Sequence, residues 1–390
     1  MEVKGFGEGE VLRLDSGEEV FKLDSYKCNP IVEPKDLGLI CYENGRPQSG
    51  AVFNPGAEIF YGKIILTPRC QTNYRKKEFF DHKSGIKRYR FEEYISEIWP
   101  LISEDGIRFQ RFNNSVIKGD GTHHKDFLYG IEDMRVIKLR KRYLLIGAGK
   151  LNPPFKGNGD DDRIAIYSTN DFKEITYHGI VHGIESRNSI PFMENDKVYM
   201  LLRYPPSDGI FLDVLDAGLE QLLMAEKHRK EWQILHERRE KNRILKTGVY
   251  QHEKEKIGAG PPPIKTERGW LLIYHGVGEI NLEMAKSYGL KKGIKRAYSV
   301  SAAILDLENP RDVLCRTKMP IYIPSKPYEL YGDEVYPVDV PAVVFPTGIV
   351  VVKDKLLIYC GCGDKYVILL TCDLGNLLDY LWDVLDQEKI

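Results

Sequence analysis

No stretch of this chain approaches the ~20 consecutive apolar residues that a bilayer-spanning helix needs, which argues against a membrane-embedded protein. Charge of one sign is missing as well. Lys and Arg number 56 against 57 Asp and Glu, a formal net charge of −1, so nothing pulls the chain broadly toward nucleic acid or an anionic membrane. Cysteine is sparse and odd in number, seven residues at Cys28, Cys41, Cys70, Cys315, Cys360, Cys362 and Cys372, which suits a reducing compartment better than a disulfide framework. Cys360 and Cys362 alternate along an expected strand, but one C-x-C without a second cluster reads as small core residues, and no metal site is expected. The opening MEVKGFGEGEVLRLD has acidic residues where the apolar heart of a secretory signal would lie, so the expected location is cytoplasmic.

What the chain does have is a repeated design. Five times a short apolar strand is followed by a loop and a second apolar strand. The first strands are residues 63–69 (KIILTPR), 142–149 (RYLLIGAG), 197–205 (KVYMLLRYP), 269–277 (GWLLIYHGV) and 355–364 (KLLIYCGCGD). Their partners are residues 95–103, 163–169, 209–216, 298–307 and 366–374. Hairpins recurring at blade-length intervals predict an all-β fold, a five-bladed β-propeller, because one blade cannot bury its faces alone.

Residues 1–28 form an N-terminal arm or lead-in strand, residues 29–374 the propeller, and residues 375–390 a C-terminal amphipathic helix with Leu377, Leu378, Leu381, Trp382 and Leu385 in its stripe. Asn54-Pro55-Gly56 reads as turn chemistry opening the first blade. Residues 73–93 are a charged insertion, and residues 149–163, rich in Gly, Pro and Asp, an exposed loop. Residues 214–246 depart from strand patterning: Leu215, Leu219, Leu222 and Leu223 lie at helical spacing, with Trp232, Ile234 and Leu235 continuing the stripe. The charge run at 227–243 mixes both signs, which favours a solvated helix face over a nucleic-acid contact.

Two segments carry candidate chemistry. In residues 131–136 (IEDMRV) an acid pair and an arginine precede a strand expected to line the central channel; a carboxyl held there with a raised pKa can donate a proton, and an arginine nearby can hold a substrate oxygen or an anion. Taken alone, Asp-x-Arg is more often a structural ion pair. Residues 256–277 begin with a Gly-Ala-Gly-Pro-Pro-Pro run, a rigid loop of little bulk that lets backbone approach a ligand, and end at Tyr274-His275-Gly276. No Gly-Lys-Ser/Thr follows, so this is not a P-loop.

Asn54-Pro-Gly-Ala, Glu132-Asp133-x-Arg135, residues 258–277 (GAGPPPIKTERGWLLIYHGV), 302–310, 328–332, 344–348 and 359–364, in this order, resemble glycoside hydrolase family 130. The resemblance spans residues 29–374 and is most specific at 258–277. It implies a five-bladed propeller cleaving β-mannosides with inversion, mostly by phosphorolysis, with no cofactor and with inorganic phosphate as co-substrate. Asp133 matches the family's general acid, although Met134 replaces the proline of its Glu-Asp-Pro-Arg motif. Arg69, described in the family as ending an inner strand, Arg203 and His275 match a cationic pocket for phosphate, and Lys150 offers a further cation. Asn54, Arg135, Gly260, Lys265, Tyr274 and Asp364 are the positions the resemblance suggests for substrate binding.

One departure stands out. Family phosphorylases carry a Leu-Phe-Pro-Glu-Lys run whose lysine binds phosphate, whereas this chain has residues 189–193 (SIPFM), with Met193 in the lysine's place. That motivates an alternative, cleavage by water, with Glu253, Glu279 or Glu283 as the activating carboxylate. A non-catalytic carbohydrate-binding propeller is a third reading. The expected partners are a β-mannoside oligosaccharide and inorganic phosphate, without nucleic acid or membrane, and with a homo-oligomer left open.

Overall fold

The structure, a computed structural model, describes residues 5–43, 46–71, 75–82, 86–92, 95–119, 127–139, 141–152, 162–205, 209–332 and 340–388. Five antiparallel sheets form the five blades, each with its first strand innermost. Blade I contains Ala51–Phe60, Lys63–Gln71, a broken third strand (Ser96–Ile98 and Leu101–Ser103) and Gln110–Arg111. Blade II contains Ile131–Leu139, Arg142–Lys150, Asp162–Thr169 and Thr176–Glu185. Blade III contains Ile190–Glu194, Lys197–Leu202, Gly209–Val214 and Arg243–Lys246. In blade IV, Lys256–Ala259 and Ile264–Thr266 share the inner position, followed by Gly269–Ile280, Ile294–Leu305 and Val313–Arg316. Blade V contains Val344–Val352, Lys355–Cys362 and Tyr366–Asp373, and takes its fourth strand, Asp24–Ser25, from the N-terminal arm. That pairing, Ser25 opposite Leu370 and Asp24 opposite Thr371, closes the ring.

The five hairpins visible in the sequence are thus the second and third strands of each blade. These middle strands are buried on both faces, so they read as unbroken apolar runs. Along Arg142–Lys150, Leu144 and Ile146 pack toward blade III while Tyr143 and Leu145 pack toward blade I, the two-residue alternation of a pleated strand. A separate apolar cluster fills each of the five gaps between blades.

Residues 214–246 are helical only in part. Leu219–Leu223 and Arg229–Glu237 are helices that bury Leu222, Trp232 and Leu235 against blades II and III. The segment then returns as Arg243–Lys246, the outer strand of blade III, so the expected helical run stops short. Its short strand carries two charged ends and no alternation that the sequence could reveal. Asp213 ties the insertion down, accepting from Arg238 Nε at 2.5 Å, Asn242 Nδ2 at 2.7 Å and Arg311 Nη2 at 2.6 Å. The C-terminal helix, Leu374–Glu388, buries Leu377 and Leu381 on blades IV and V. Part of the 73–93 insertion is a hairpin, Arg75–Asp81 with Ile86–Glu92. Most of the 149–163 loop lies outside the described residues.

Candidate active site

Asn54-Pro55-Gly56 is not a turn. It lies inside the innermost strand of blade I, where the pairing slips between Phe53 and Gly56 and Asn54 adopts φ 49°. The innermost strand of blade II slips in the same way between Glu132 and Arg135, with Asp133 at φ 51°. A bulge of this kind re-aims a side chain that a regular strand would have buried between blades. Asn54 Nδ2 donates to Asp133 Oδ1 over 2.8 Å, so the two bulges meet.

Around Asp133 is a buried ionic network. Glu132, wholly inaccessible, accepts from Arg69 Nη2 at 2.7 Å and Arg187 Nη2 at 2.8 Å. Arg187 Nε also reaches Asp162 at 2.6 Å, and Lys150 Nζ pairs with Asp162 at 2.8 Å. Arg69 Nη1 stands 3.7 Å from Asp133. Arg69 comes from the second strand of blade I rather than the innermost one. Lys150 is therefore a structural partner of carboxylates here and not an uncompensated cation.

Blades III and IV supply a different environment. His275 is wholly buried, and neither ring nitrogen has a hydrogen-bond partner among the described residues. Burial, reinforced by Arg203, Lys256 and Arg135, holds its pKa well below the usual imidazole range, so the ring is neutral. Burial also brings Arg203 down to about 10, with Arg187 adding to the effect against Tyr298, Asp133 and Asp162. Neither Arg203 nor Lys256 forms an ion pair with a carboxylate among the described residues. Lys256 Nζ lies 4.7 Å from the Tyr298 ring centre, and the Tyr298 ring lies 6.0 Å from His275 in a stacked arrangement. Strand pairing explains the convergence: Gly258 is opposite His275 and His275 opposite Val300, so Lys256, His275 and Tyr298 share one face of blade IV. Gly258 leaves room for the imidazole, since a Cβ there would fall 2.5 Å from His275 Cε1 and 3.1 Å from Asn188 Oδ1.

Asp364, at φ 47° in the turn between two blade V strands, completes the cluster. Desolvation pushes its carboxyl up to about 6; Asp133 and Glu132 add to that, and Arg69 and Lys256 oppose it.

Other expected site residues lie elsewhere. Tyr274 points to the opposite face of its strand from His275 and donates to Glu253 Oε1 at 2.7 Å. Lys265 pairs with Glu194 at 2.5 Å, at the far ends of the inner strands of blades III and IV. Gly260 is where two backbones meet, because a Cβ would lie 2.8 Å from Pro346 O and 2.9 Å from Ile273 O. Arg135 faces backbone: its Nη1 donates to Asp133 O at 2.5 Å and its Nε to Gly260 O at 3.0 Å. Met193 lines a groove with Pro262, Pro263 and Lys138 at that far end, so its replacement of a lysine takes no cation from the His275 environment. Glu253 is bound to Tyr274 and Arg316, Glu279 lines a separate groove with Tyr250 and Lys318, and Glu283 accepts from Ser16 N. None of these three belongs to the Asp133 cluster.

Sequence reasoning missed Arg187, Asn188, Lys256 and Tyr298. For Lys256 a signal existed: in an extended strand it shares a face with Gly258 two residues on, at the start of the most distinctive segment. Arg187 and Asn188 sit in an interblade loop with no periodicity to expose them.

Known proteins resemble this chain over most of its length. A β-1,2-mannobiose phosphorylase of Thermoanaerobacter sp. (strain X514) is 29% identical over 352 residues, 89% of this chain and 96% of that protein. A 1,2-β-oligomannan phosphorylase of the same strain is 28% identical over 89% of this chain and 96% of its own length. The structure of a β-1,2-mannobiose phosphorylase from Listeria innocua, in complex with β-1,2-mannobiose, superimposes with a TM-score of 0.65 at 21% identity, covering 92% of this chain and 99% of that one. A family model described as beta-1,4-mannooligosaccharide phosphorylase matches residues 26–383, and on that match the chain belongs to glycoside hydrolase family 130.

Proposed function

We propose that this protein cleaves β-mannosides by phosphorolysis with inversion, releasing mannose 1-phosphate. Asp133 protonates the bridging oxygen as the glycosidic C–O bond breaks, and the proton leaves with the departing sugar. A phosphate oxygen forms the new bond to the anomeric carbon from the opposite side. Arg203, Lys256, the neutral His275 and Tyr298 hold the phosphate, with Asn188 beside them. Asp364 and Asn54 face the mannose.

The observation that carries this reading is the environment of His275. Buried polar groups are normally satisfied, and buried cations normally paired. Here a neutral imidazole with no hydrogen-bond partner among the described residues lies among Arg203 and Lys256, two buried cations with no carboxylate in ion-pair contact among those residues. A multiply charged oxyanion meets all of these requirements at once, and an Arg fork suits phosphate geometry. The three carboxylates considered for water activation lie outside the cluster, which weighs against hydrolysis. The relatives that match about nine-tenths of the chain are named for β-1,2-linked substrates, so β-1,2-mannobiose is the substrate to try first, with β-1,4-mannobiose as comparison.

Incubation of the enzyme with β-1,2-mannobiose, with and without inorganic phosphate, tests the proposal. Phosphate-dependent formation of mannose 1-phosphate is expected. Release of two free mannoses at equal rates in both conditions would overturn it.

A further inference from the structure

Arg135 invites the simplest assignment for an arginine in an active-site motif, that of an anion or substrate ligand. Its bonds point elsewhere. The side chain is 1% exposed. Nη1 donates to the carbonyl of Asp133, and Nε donates to the carbonyl of Gly260, which belongs to the loop joining the two inner segments of blade IV. Both acceptors are backbone atoms that nothing in a substrate replaces.

These two carbonyls matter because of where Asp133 stands. Its φ of 51° lies in the left-handed region, which a non-glycine residue holds where the surroundings over-determine it. Asn54 restrains the carboxyl end of the residue through Asp133 Oδ1. Arg135 restrains its peptide end, and by the same guanidinium ties blade II to blade IV across the channel. Gly260 is itself held, its N–H donating to the Ile273 carbonyl at 3.0 Å and its Cα packed close to the Pro346 backbone. The Arg135 guanidinium is in turn 5.8 Å from the Phe345 ring centre, on the inner strand of blade V, so three blades converge on it.

From this geometry we infer that Arg135 is a positioning residue for the acid: it clamps the left-handed peptide of Asp133 so that the carboxyl is presented to the leaving oxygen. The inference rests on the assignment of Asp133 as proton donor. The competing role is specific. Nη2 has no hydrogen-bond partner among the described residues, so an arginine that bound phosphate would do so through that atom.

The two roles predict different kinetics. Turnover of β-1,2-mannobiose, whose leaving group needs a proton, is compared with that of 2,4-dinitrophenyl β-mannoside, whose leaving group does not, at varied phosphate. For Arg135→Met, kcat on mannobiose should fall by ~10²-fold, as expected when a reacting group is displaced by about 1 Å. The KM for phosphate should stay within about twofold, and the dinitrophenyl substrate should lose no more than a few-fold, on the same differential-protonation argument. Arg135→Lys, which keeps the charge but cannot span both carbonyls, should show the same pattern and guards against a variant that fails to fold. A tenfold rise in phosphate KM would assign Arg135 to the anion instead. Equal losses on both substrates would reduce it to general scaffolding. Asp133→Asn measured alongside separates the two levels of the argument: if that variant keeps wild-type turnover on mannobiose, the acid assignment fails; if it is leaving-group dependent and the Arg135 variants are not, only the clamp fails.

Discussion

Asn54 and Asp133 lie on the innermost strands of neighbouring blades, both in the left-handed region, and a 2.8 Å hydrogen bond from Asn54 Nδ2 to Asp133 Oδ1 joins them. Each sits at a bulge in its strand, and a Cβ on Gly361 of blade V would come within 1.9 Å of Asn54 Oδ1. Three blades therefore fix one carboxyl. With its hydrogen bond on Oδ1, Asp133 has Oδ2 as the oxygen through which the proposed acid would reach a substrate.

Asp133→Asn preserves this shape and removes the proton. Turnover of β-1,2-mannobiose should fall ~10²–10⁴-fold. Circular dichroism and the melting temperature should stay close to wild type. A variant with near-normal turnover would place the acid elsewhere.

The propeller was legible because five middle strands, buried on both faces, read as apolar runs such as residues 142–149. The innermost strands were legible only in part: a channel-lining strand was expected just after the acid pair of residues 131–136, but that pair and Asn54-Pro55-Gly56 lie inside their strands and interrupt them with residues that signal turns or surface. That interruption is itself the device that brings the side chains into the channel. Asp133, Asn54, Arg69 and Asp364 lie near one another around the channel, with Arg203 and His275 beside them, but Arg69, expected to face phosphate, is paired with Glu132. Lys265 and Tyr274 were misplaced by proximity in sequence to His275: one residue along a strand reverses the face, and ten residues carry the chain to the other end of the blade. Arg187 pairs with Glu132 from an interblade loop, a relationship that exists only in three dimensions.

Trp232 anchors the helical insertion with no exposed surface. Trp232→Ala should destabilise the fold by about 3–5 kcal/mol, the usual cost of truncating a buried aromatic. Urea unfolding would register this, while the phosphate KM of the folded enzyme should be unchanged, because the insertion packs outside the blades. A shifted phosphate KM would mean that the insertion reaches the site.

Arg203→Lys keeps a cation but loses the planar fork. If Arg203 grips phosphate with two parallel bonds, the phosphate KM should rise by roughly 10- to 100-fold, matching the ~1.5–3 kcal/mol of a charged hydrogen bond. Initial rates at saturating mannobiose would show it. An unchanged KM would remove Arg203 from the phosphate pocket.

Gly258→Ala tests the pocket by shape alone. Its new Cβ would sit 2.5 Å from His275 Cε1, closer than carbon atoms approach one another, so the imidazole must swing away. Phosphate affinity should drop about as far as in His275→Ala, and combining the two substitutions should add little. Additive losses would show that Gly258 acts on something other than His275.

Tyr298 makes the pocket sensitive to alkaline pH. Burial alone would raise its phenol, but Lys256 and Arg296 outweigh burial and bring it down to about 8. Below that pH the neutral hydroxyl can donate to phosphate. Above it the phenolate neutralises Lys256 and repels the bound dianion. The phosphate KM should therefore rise as pH increases through about 8, approaching tenfold per pH unit for a single proton. Inorganic phosphate completes its second ionisation at the lower end of this range, which would lower the apparent KM as pH rises and so has the opposite sign to the Tyr298 effect. Tyr298→Phe removes both the donor and the titration: its phosphate KM should be higher than wild type at pH 7 and should show no rise from pH 7 to 9 on the same single-proton argument. A wild-type KM that stays flat through pH 9, or a rise that persists in Tyr298→Phe, would show that Tyr298 does not face the phosphate.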